Sequence, residues 1–444
     1  MQGIDRSARW GAARVAVFVV ALAALQGAPA GAELAPNSCG WATRIGADQL
    51  NVAFPDTAAE YWIAAVPMSP GGFVEVSGNY PHARYMSIID YTAVAQSIDG
   101  LADVQIKPDP GSTNPFEAGA DRTASQRSYA VKVVNGAVPA GAARAPNTIY
   151  STSADGTRTS PPGTALLIYR VYEPDSGLDL TGGEGLPTLT LVDATGNRTS
   201  LPRCPDDSLP LTGLTQQLAA QGASGSSPLP NTGLGSTSPP QWVKFTNFAN
   251  GAATGALDNQ DTGGSVYPPV ASATNTLPSG GFFDNVNVAY VVSFYSAGFG
   301  PVLAFRAKAP TTPPTLAGWP TMGTGQVRYW SVCTNNGGGV VYGCAHDDQV
   351  PLDAAGDYTL VISTAANRPA NATMGCGAIW LPVGPAPQAV VILRNMLPAP
   401  DFANAIQNAT QGSELQTMGP YYPVGRYFAH VSEFEGTGCN TPTW

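Results

Sequence analysis

The sequence predicts a mainly β protein: two related antiparallel β-sandwich domains, jelly-roll-like, joined by a Gly/Pro/Ser-rich connector. Three observations point there. A motif recurs, with Arg84-Tyr85-Met86-Ser87 returning as Arg328-Tyr329-Trp330-Ser331. Short apolar or alternating runs broken by Gly, Pro, Asn and Asp fill both regions around these copies, which indicates a sandwich rather than a parallel sheet with helices. Between them, residues 206–280 are mostly Gly, Ser, Pro and Thr, a composition that buries too little apolar surface to offset chain entropy.

Residues 1–32 read as a secretory leader. Arg6, Arg9 and Arg14 precede an apolar stretch from Val15 to Leu25, and Ala30-Gly31-Ala32 offers small residues for cleavage. The stretch is too short for a stable membrane span, so the mature chain is expected outside the cytoplasm, secreted or periplasmic. The first sandwich is assigned to 33–205. Phe73-Val74-Glu75-Val76-Ser77-Gly78 alternates with period two, as a half-buried strand does. Tyr85 to Tyr91, Tyr129 to Val134, Leu166 to Tyr172 and Leu189 to Val192 read as further strands. The connector carries a short helical run, Leu214 to Gln221, and an aromatic segment from Gln241 to Phe248 that would dock as an edge strand. The second sandwich is assigned to 281–444, where Pro400 to Ala409, with Asp401 as cap, is the most helix-like piece.

The echo continues beyond the motif. Tyr129 and Tyr358 sit in matching strand-like runs, Asn147 to Tyr150 matches Gly377 to Trp380, and Ala165 to Arg170 matches Ala389 to Arg394. Marks that keep their order while their spacing drifts indicate shared strands with variable loops, hence duplication.

Only 12% of residues are charged, and the whole chain carries −10. Without the leader's three arginines and Asp5, 18 basic residues face 30 acidic ones, giving −12. Nucleic acid is therefore excluded as a partner, because phosphate backbones need clustered positive charge. An even set of six cysteines in an exported chain reads as three disulfides. The two-copy layout favours Cys39 with Cys204, Cys333 with Cys344 around the Asn335-to-Gly339 loop, and Cys376 with Cys439. Zinc spacing is lacking, and no metal or cofactor is expected.

Pro81-His82-Ala83-Arg84-Tyr85-Met86-Ser87, then Asp99-Gly100-Leu101, Pro108-Asp109-Pro110-Gly111-Ser112 and Arg170-Val171-Tyr172-Glu173-Pro174, resemble exported bacterial proteins of unknown function. Trp380-Leu381-Pro382 and Arg394 are similar to a tail-end signature of related domains. The resemblance implies duplicated jelly-roll-like sandwiches and export, and brings no catalytic residues.

The candidate ligand-binding residues are Arg84, Tyr85, Asp90, Tyr91, Arg170, Arg328 and Tyr329. The arginines would clamp a polar or anionic group and the rings would stack, against the plainer reading that the arginines brace the fold. Catalytic candidates are His82, His346 and Asp347, since a carboxylate beside an imidazole supports acid–base work. The His346-Asp347-Asp348 cluster also reads as a surface loop, and His430 with Glu433 and Glu435 likewise. No Gly-x-Ser-x-Gly elbow is present. Asp99, Asp103, Asp109, Asp175, Asp179 and Glu184 offer no spacing that marks a glycosidase pair. Asp258 to Gly264 has calcium-type ligands but reads as a solvated turn. With three histidines against 17 tyrosines and eight tryptophans, the expectation is a secreted, non-catalytic binder of a glycan or apolar-faced molecule. The alternative is an extracellular hydrolase of an ester or polymer using His82 or His346.

Overall fold

A computed structural model describes residues 37–93, 95–139, 143–205, 236–244 and 283–439, all within one compact unit spanning Leu34–Trp444. The leader, the Leu214–Gln221 run, residues 245–248 and the Asp258–Gly264 loop lie outside the described residues.

Among the described residues the first half supplies ten strands. One five-stranded sheet has the order β1 (Thr43–Ile45), β2 (Ala59–Pro67), β8 (Thr164–Pro174), β4 (Ala83–Tyr91), β5 (Ser97–Ala102). The other runs β10 (Arg198–Ser200), β9 (Thr188–Val192), β3 (Phe73–Asn79), β6 (Ser128–Ala137), β7 (Thr148–Thr152). In the second half, β11 (Val243–Lys244), β12 (Val288–Ser296), β18 (Gln388–Met396), β14 (Tyr329–Asn335) and β15 (Val341–His346) form a five-stranded sheet. It faces a four-stranded one: β17 (Ile379–Pro382), β16 (Asp357–Ser363), β13 (Val302–Lys308), β19 (Val424–Phe428). Pairing is antiparallel except at β6–β7 and β16–β17, both parallel.

The halves coincide in register as well as order. Ser87 and Tyr61 flank Arg170 across three adjacent strands, and Ser331 and Tyr290 flank Arg394 in the same way. Glu173 and Leu397, each three residues past those arginines, both adopt a left-handed backbone, φ 48° and 42°.

Each half has its own sandwich core. Trp62, Val74, Met86, Tyr129 and Leu167 meet in the first, and Val291, Phe305, Trp330, Leu360 and Leu393 in the second. A third apolar layer lies between the halves. There Tyr61, Ile63, Tyr85, Ile89 and Ile168 pack with Phe283, Val288, Tyr329 and Met396, and Phe54 packs against Val292 and Ile392. The two larger sheets thus face each other and are covered on both sides, so β2, β4, β8, β14 and β18 are buried almost without a break rather than at alternate residues. Burying one such Val, Leu or Ile side chain contributes about 1.5–3 kcal/mol.

The edge strand expected near Trp242 is β11, with Trp242 buried against Phe305, ring centroids 5.0 Å apart. The helix expected over 400–409 does not form. That piece makes only a 3-10 turn at Ile406–Asn408, and the helix lies later, at Glu414–Met418. Phe402, Ala405 and Ile406 are instead spent in the second core, so tertiary burial overrides local propensity.

The disulfides pair Cys39–Cys204, Cys333–Cys344 and Cys376–Cys439. Cys39–Cys204 joins residues 165 apart, beside the Gly40 and Arg203 backbone bridge; Cys333–Cys344 spans 11. Loop-closure entropy predicts that replacing both cysteines of the long bridge by serine costs about 5 kcal/mol, and of the short one about 3 kcal/mol. Urea denaturation of the two double variants should rank them in that order.

Candidate functional site

The residues singled out in the sequence converge on the contact between the halves. Arg84 is the second residue of β4 and is fully buried. Its Nη1 lies 2.6 Å from Asp347 Oδ2, and its Nη2 lies 2.6 Å from both Asp348 Oδ2 and Glu173 Oε2. Nε donates to Thr315 Oγ1 at 2.5 Å. Asp347 and Asp348 reach inward because β15 ends in a 3-10 turn over Asp347–Gln349. The turn lets neighbouring residues converge where a continued strand would send them to opposite faces. His346 closes β15, with Nδ1 2.8 Å from Glu173 Oε1 and 4.0 Å from Asp347 Oδ1.

Arg328 makes the mirror arrangement. It lies 3.3 Å from Asp103 Oδ1, and Asp103 heads the matching 3-10 turn after β5. Arg84 Nη1 donates to the Arg328 carbonyl at 3.3 Å, and Arg328 Nη1 donates back to the Arg84 carbonyl at 3.4 Å. The other two arginines repeat the exchange: Arg170 Nη2 donates to Phe283 O and Arg394 Nη2 to Phe54 O, both at 2.7 Å. Four guanidinium groups therefore cross between the halves in reciprocal pairs.

The symmetry is broken where chemistry accumulates. Around Arg84 stand Glu173, His346, Asp347 and Asp348; the corresponding places around Arg328 hold Leu397, Ala102, Asp103 and Val104. Burial pushes the Asp347 carboxyl up to about 7, against the pull of Arg84. Burial also raises Asp348, again opposed by Arg84. Burial pulls the His346 imidazole down, but Glu173, Asp56 and Asp347 outweigh it and its pKa is raised. Together these groups bind and share protons.

Glu173, His346 and Asp347 also place donor atoms within 4.8 Å of one another, a spread a divalent cation could bridge. Both carboxylates already meet the Arg84 cation, so the set fits an ion-pair network better. The second such grouping, Asp56 with Cys333 and Cys344, has its sulfurs tied in a disulfide.

Tyr85 donates to Asn285 Oδ1 at 3.2 Å and Tyr91 to the Asp284 carbonyl at 2.6 Å, both across the junction. Tyr329 is buried there, its ring 6.3 Å from that of His346. Asp90 is buried apart from these, held by Ser160 and by the Leu166 amide at 3.0 Å, and burial pushes it up to about 7. None of the seven proposed ligand contacts is exposed. His82 lies elsewhere, its ring held by Arg127 and 3.4 Å from Glu184; burial and Arg127 lower its pKa. His430 is exposed at the start of the short helix Val431–Glu435. The partners of His82 and His346 are charged side chains, not hydroxyls.

Residue type and spacing give Thr315 no role, place Glu173 only in a resemblance motif and Asp103 only among carboxylates without glycosidase spacing. Glu173 is adjacent to Pro174 and faces Leu397-Pro398 in the echo, so a charge at one copy and an apolar residue at the other was the available signal.

No protein-family model matches the chain, and no curated protein matches it. Among solved structures it is similar to an uncharacterized protein from Burkholderia cenocepacia at 13% identity, with TM-score 0.46, covering 90% of this chain and 84% of that one. It is also similar to a Vibrio parahaemolyticus protein at 11% identity, with TM-score 0.38, covering 84% and 90%.

Arg84→Met leaves three carboxylates without their cation and should cost about 3–5 kcal/mol at pH 7, read from the urea midpoint. The folded-state pKa values of Asp347, Asp348 and His346 are raised above their ordinary ones. Their contribution to stability is therefore complete below the unfolded pKa values and is lost as pH rises through the folded ones. Stability should fall from about pH 4 to beyond pH 7, and Asp347→Asn should flatten that slope in a pH series of urea midpoints.

Proposed function

We propose that this chain is an exported, non-catalytic double β-sandwich protein that binds an extracellular ligand with a sugar-like or apolar face, and that Trp319 is its contact. The carrying observation is an exposed indole on a rigid loop. Trp319 is 56% exposed, yet its carbonyl accepts from Arg122 Nη1 at 2.8 Å and the Pro320 carbonyl accepts from Arg122 N at 2.8 Å. Met322, three residues on, is buried in the first core. A backbone pinned in this way loses little freedom on binding, and the exposed indole it carries offers a broad stacking face.

The surroundings suit such a ligand. Arg122 also pairs with Asp175, whose carbonyl accepts from the Leu178 amide at 3.1 Å. Leu178 and Leu180 are exposed, and the same loop runs on to Glu184, which meets Asn79 and His82. Apolar surface beside polar side chains is what a sugar ring requires. The hydrolase alternative needs a hydroxyl nucleophile beside the imidazole, whereas the side chains that meet both candidate rings are charged ones.

Three disulfides fit an oxidising compartment, which supports export after cleavage near Ala32. Matching strand order and register support descent of both halves, jelly-roll-like, from one copied unit. On this reading the echoed arginines were kept for the contact between the copies.

The mature chain should retain at least one ligand in a glycan-array and small-molecule screen run to millimolar concentration. Trp319→Ala should weaken that binding tenfold or more with an unchanged melting temperature. A silent screen, or a variant that binds like the parent, would sink the assignment.

A further inference from the structure

The matching arginines Arg170 and Arg394 differ in one respect: only one has a counter-ion. Arg394 lies 3.7 Å from Asp56 Oδ2, and Ser331 Oγ donates to the same oxygen at 2.5 Å. The place of Asp56 is taken in the other half by Asn285. Both follow a left-handed phenylalanine by two residues, Phe54 at φ 58° and Phe283 at φ 62°. Both side chains accept the amide two residues on, Ala58 N at 3.1 Å and Asn287 N at 3.0 Å. Both carbonyls accept the amide three residues on, Ala59 N at 3.2 Å and Val288 N at 3.0 Å. The exchange of Asp for Asn removes the carboxylate and keeps the loop.

Arg170 is 1% exposed. Its Nη2 donates to Phe283 O, but Nε and Nη1 meet no acceptor, and Ser87 Oγ, its fully buried register partner on β4, meets none either. Ser87 and Arg170 share the face turned toward the other half, because directly paired residues point the same way. Among the described residues no carboxylate comes within ion-pair distance of this guanidinium. Asp284, the acidic residue of the adjoining loop, has its oxygens on Ser97 N and Oγ at 3.0 and 2.6 Å. The other groups facing Arg170 are Tyr61, Tyr85, Tyr91 and Tyr172, and the guanidinium lies over the Tyr61 and Tyr91 rings at 5.5 and 5.4 Å. Those faces offset part of the charge and the Tyr91 hydroxyl lies within reach of the guanidinium, but neutral rings supply no counter-ion.

We propose that Arg170, with Ser87, binds a small monovalent anion of the halide class between the two halves, in the role that the Asp56 carboxylate plays for Arg394. The anion supplies charge and acceptors together, and a buried cation lacking both is costly. Nothing here depends on the Trp319 surface.

The test is thermal unfolding of the mature chain in sodium gluconate, with chloride substituted at constant ionic strength. The midpoint should rise by roughly 1–3 °C for each tenfold increase in chloride above its dissociation constant. Asn285→Asp should melt at its upper value already in gluconate and ignore chloride. Crystals grown in bromide should show an anomalous peak within hydrogen-bond reach of Arg170 Nε and Nη1. A parent protein indifferent to chloride overturns the proposal, and so does an Asn285→Asp variant that keeps the dependence.

Discussion

A guanidinium buried between two sheets must find its acceptors on whatever faces it, and here each of four finds them on the opposite half. Arg84 and Arg328 exchange backbone carbonyls, and Arg170 and Arg394 reach Phe283 and Phe54. Burying the two cations of either half without these acceptors would carry a desolvation cost of about several kcal/mol per ion. The contact between the halves is therefore a condition for the burial of those residues, and through them for the placement of β4, β8, β14 and β18.

The layering follows. Once each larger sheet is covered on its outer face, its strands can be apolar on both sides, and Tyr61, Ile63, Ile168, Val292 and Ile392 find a place that a lone sandwich would leave in water. The polar outer loops are released from that duty. The loop around Trp319 belongs to the second half by sequence yet is pinned to Arg122 of the first, so the same association that buries the arginines also fixes an indole at the surface.

Much of the fold was legible in the residues themselves. The strands β6 and β16, β7 and β17, and the arginine-bearing β8 and β18 stand in the order in which the echoed marks occur, because strand pairing constrains order more tightly than loop length. The Arg84 cluster was visible only in pieces. Arg84, His346 and Asp347 could be named from residue type, but Glu173 lies 89 residues from Arg84 and 173 from His346 in the chain, and no local pattern encodes a contact at that distance. The apolar runs of β8 and β18 held the missing information. A strand that does not alternate has two covered faces, which already implied a layer beyond each sandwich and a buried place for the arginines.

The residual asymmetry has an electrostatic logic. At low dielectric a charge is balanced by neighbours a few ångströms away and hardly by those farther off, so the total of arginines and carboxylates over the whole junction does not settle any one site. Arg84 has three carboxylates, one more than it can pair with comfortably, and the excess is answered by protons: His346 and Asp347 both hold theirs to higher pH than usual. Arg170 has the opposite imbalance, donors without acceptors, which protons cannot correct because a buried guanidinium keeps its charge. Only an electron-rich partner can, and two tyrosine faces go part of the way. The two ends of the contact are thus unbalanced in opposite directions, one toward surplus acid and one toward surplus base. Each must be neutralised by something small that the chain does not itself supply: a proton at Arg84, an anion at Arg170.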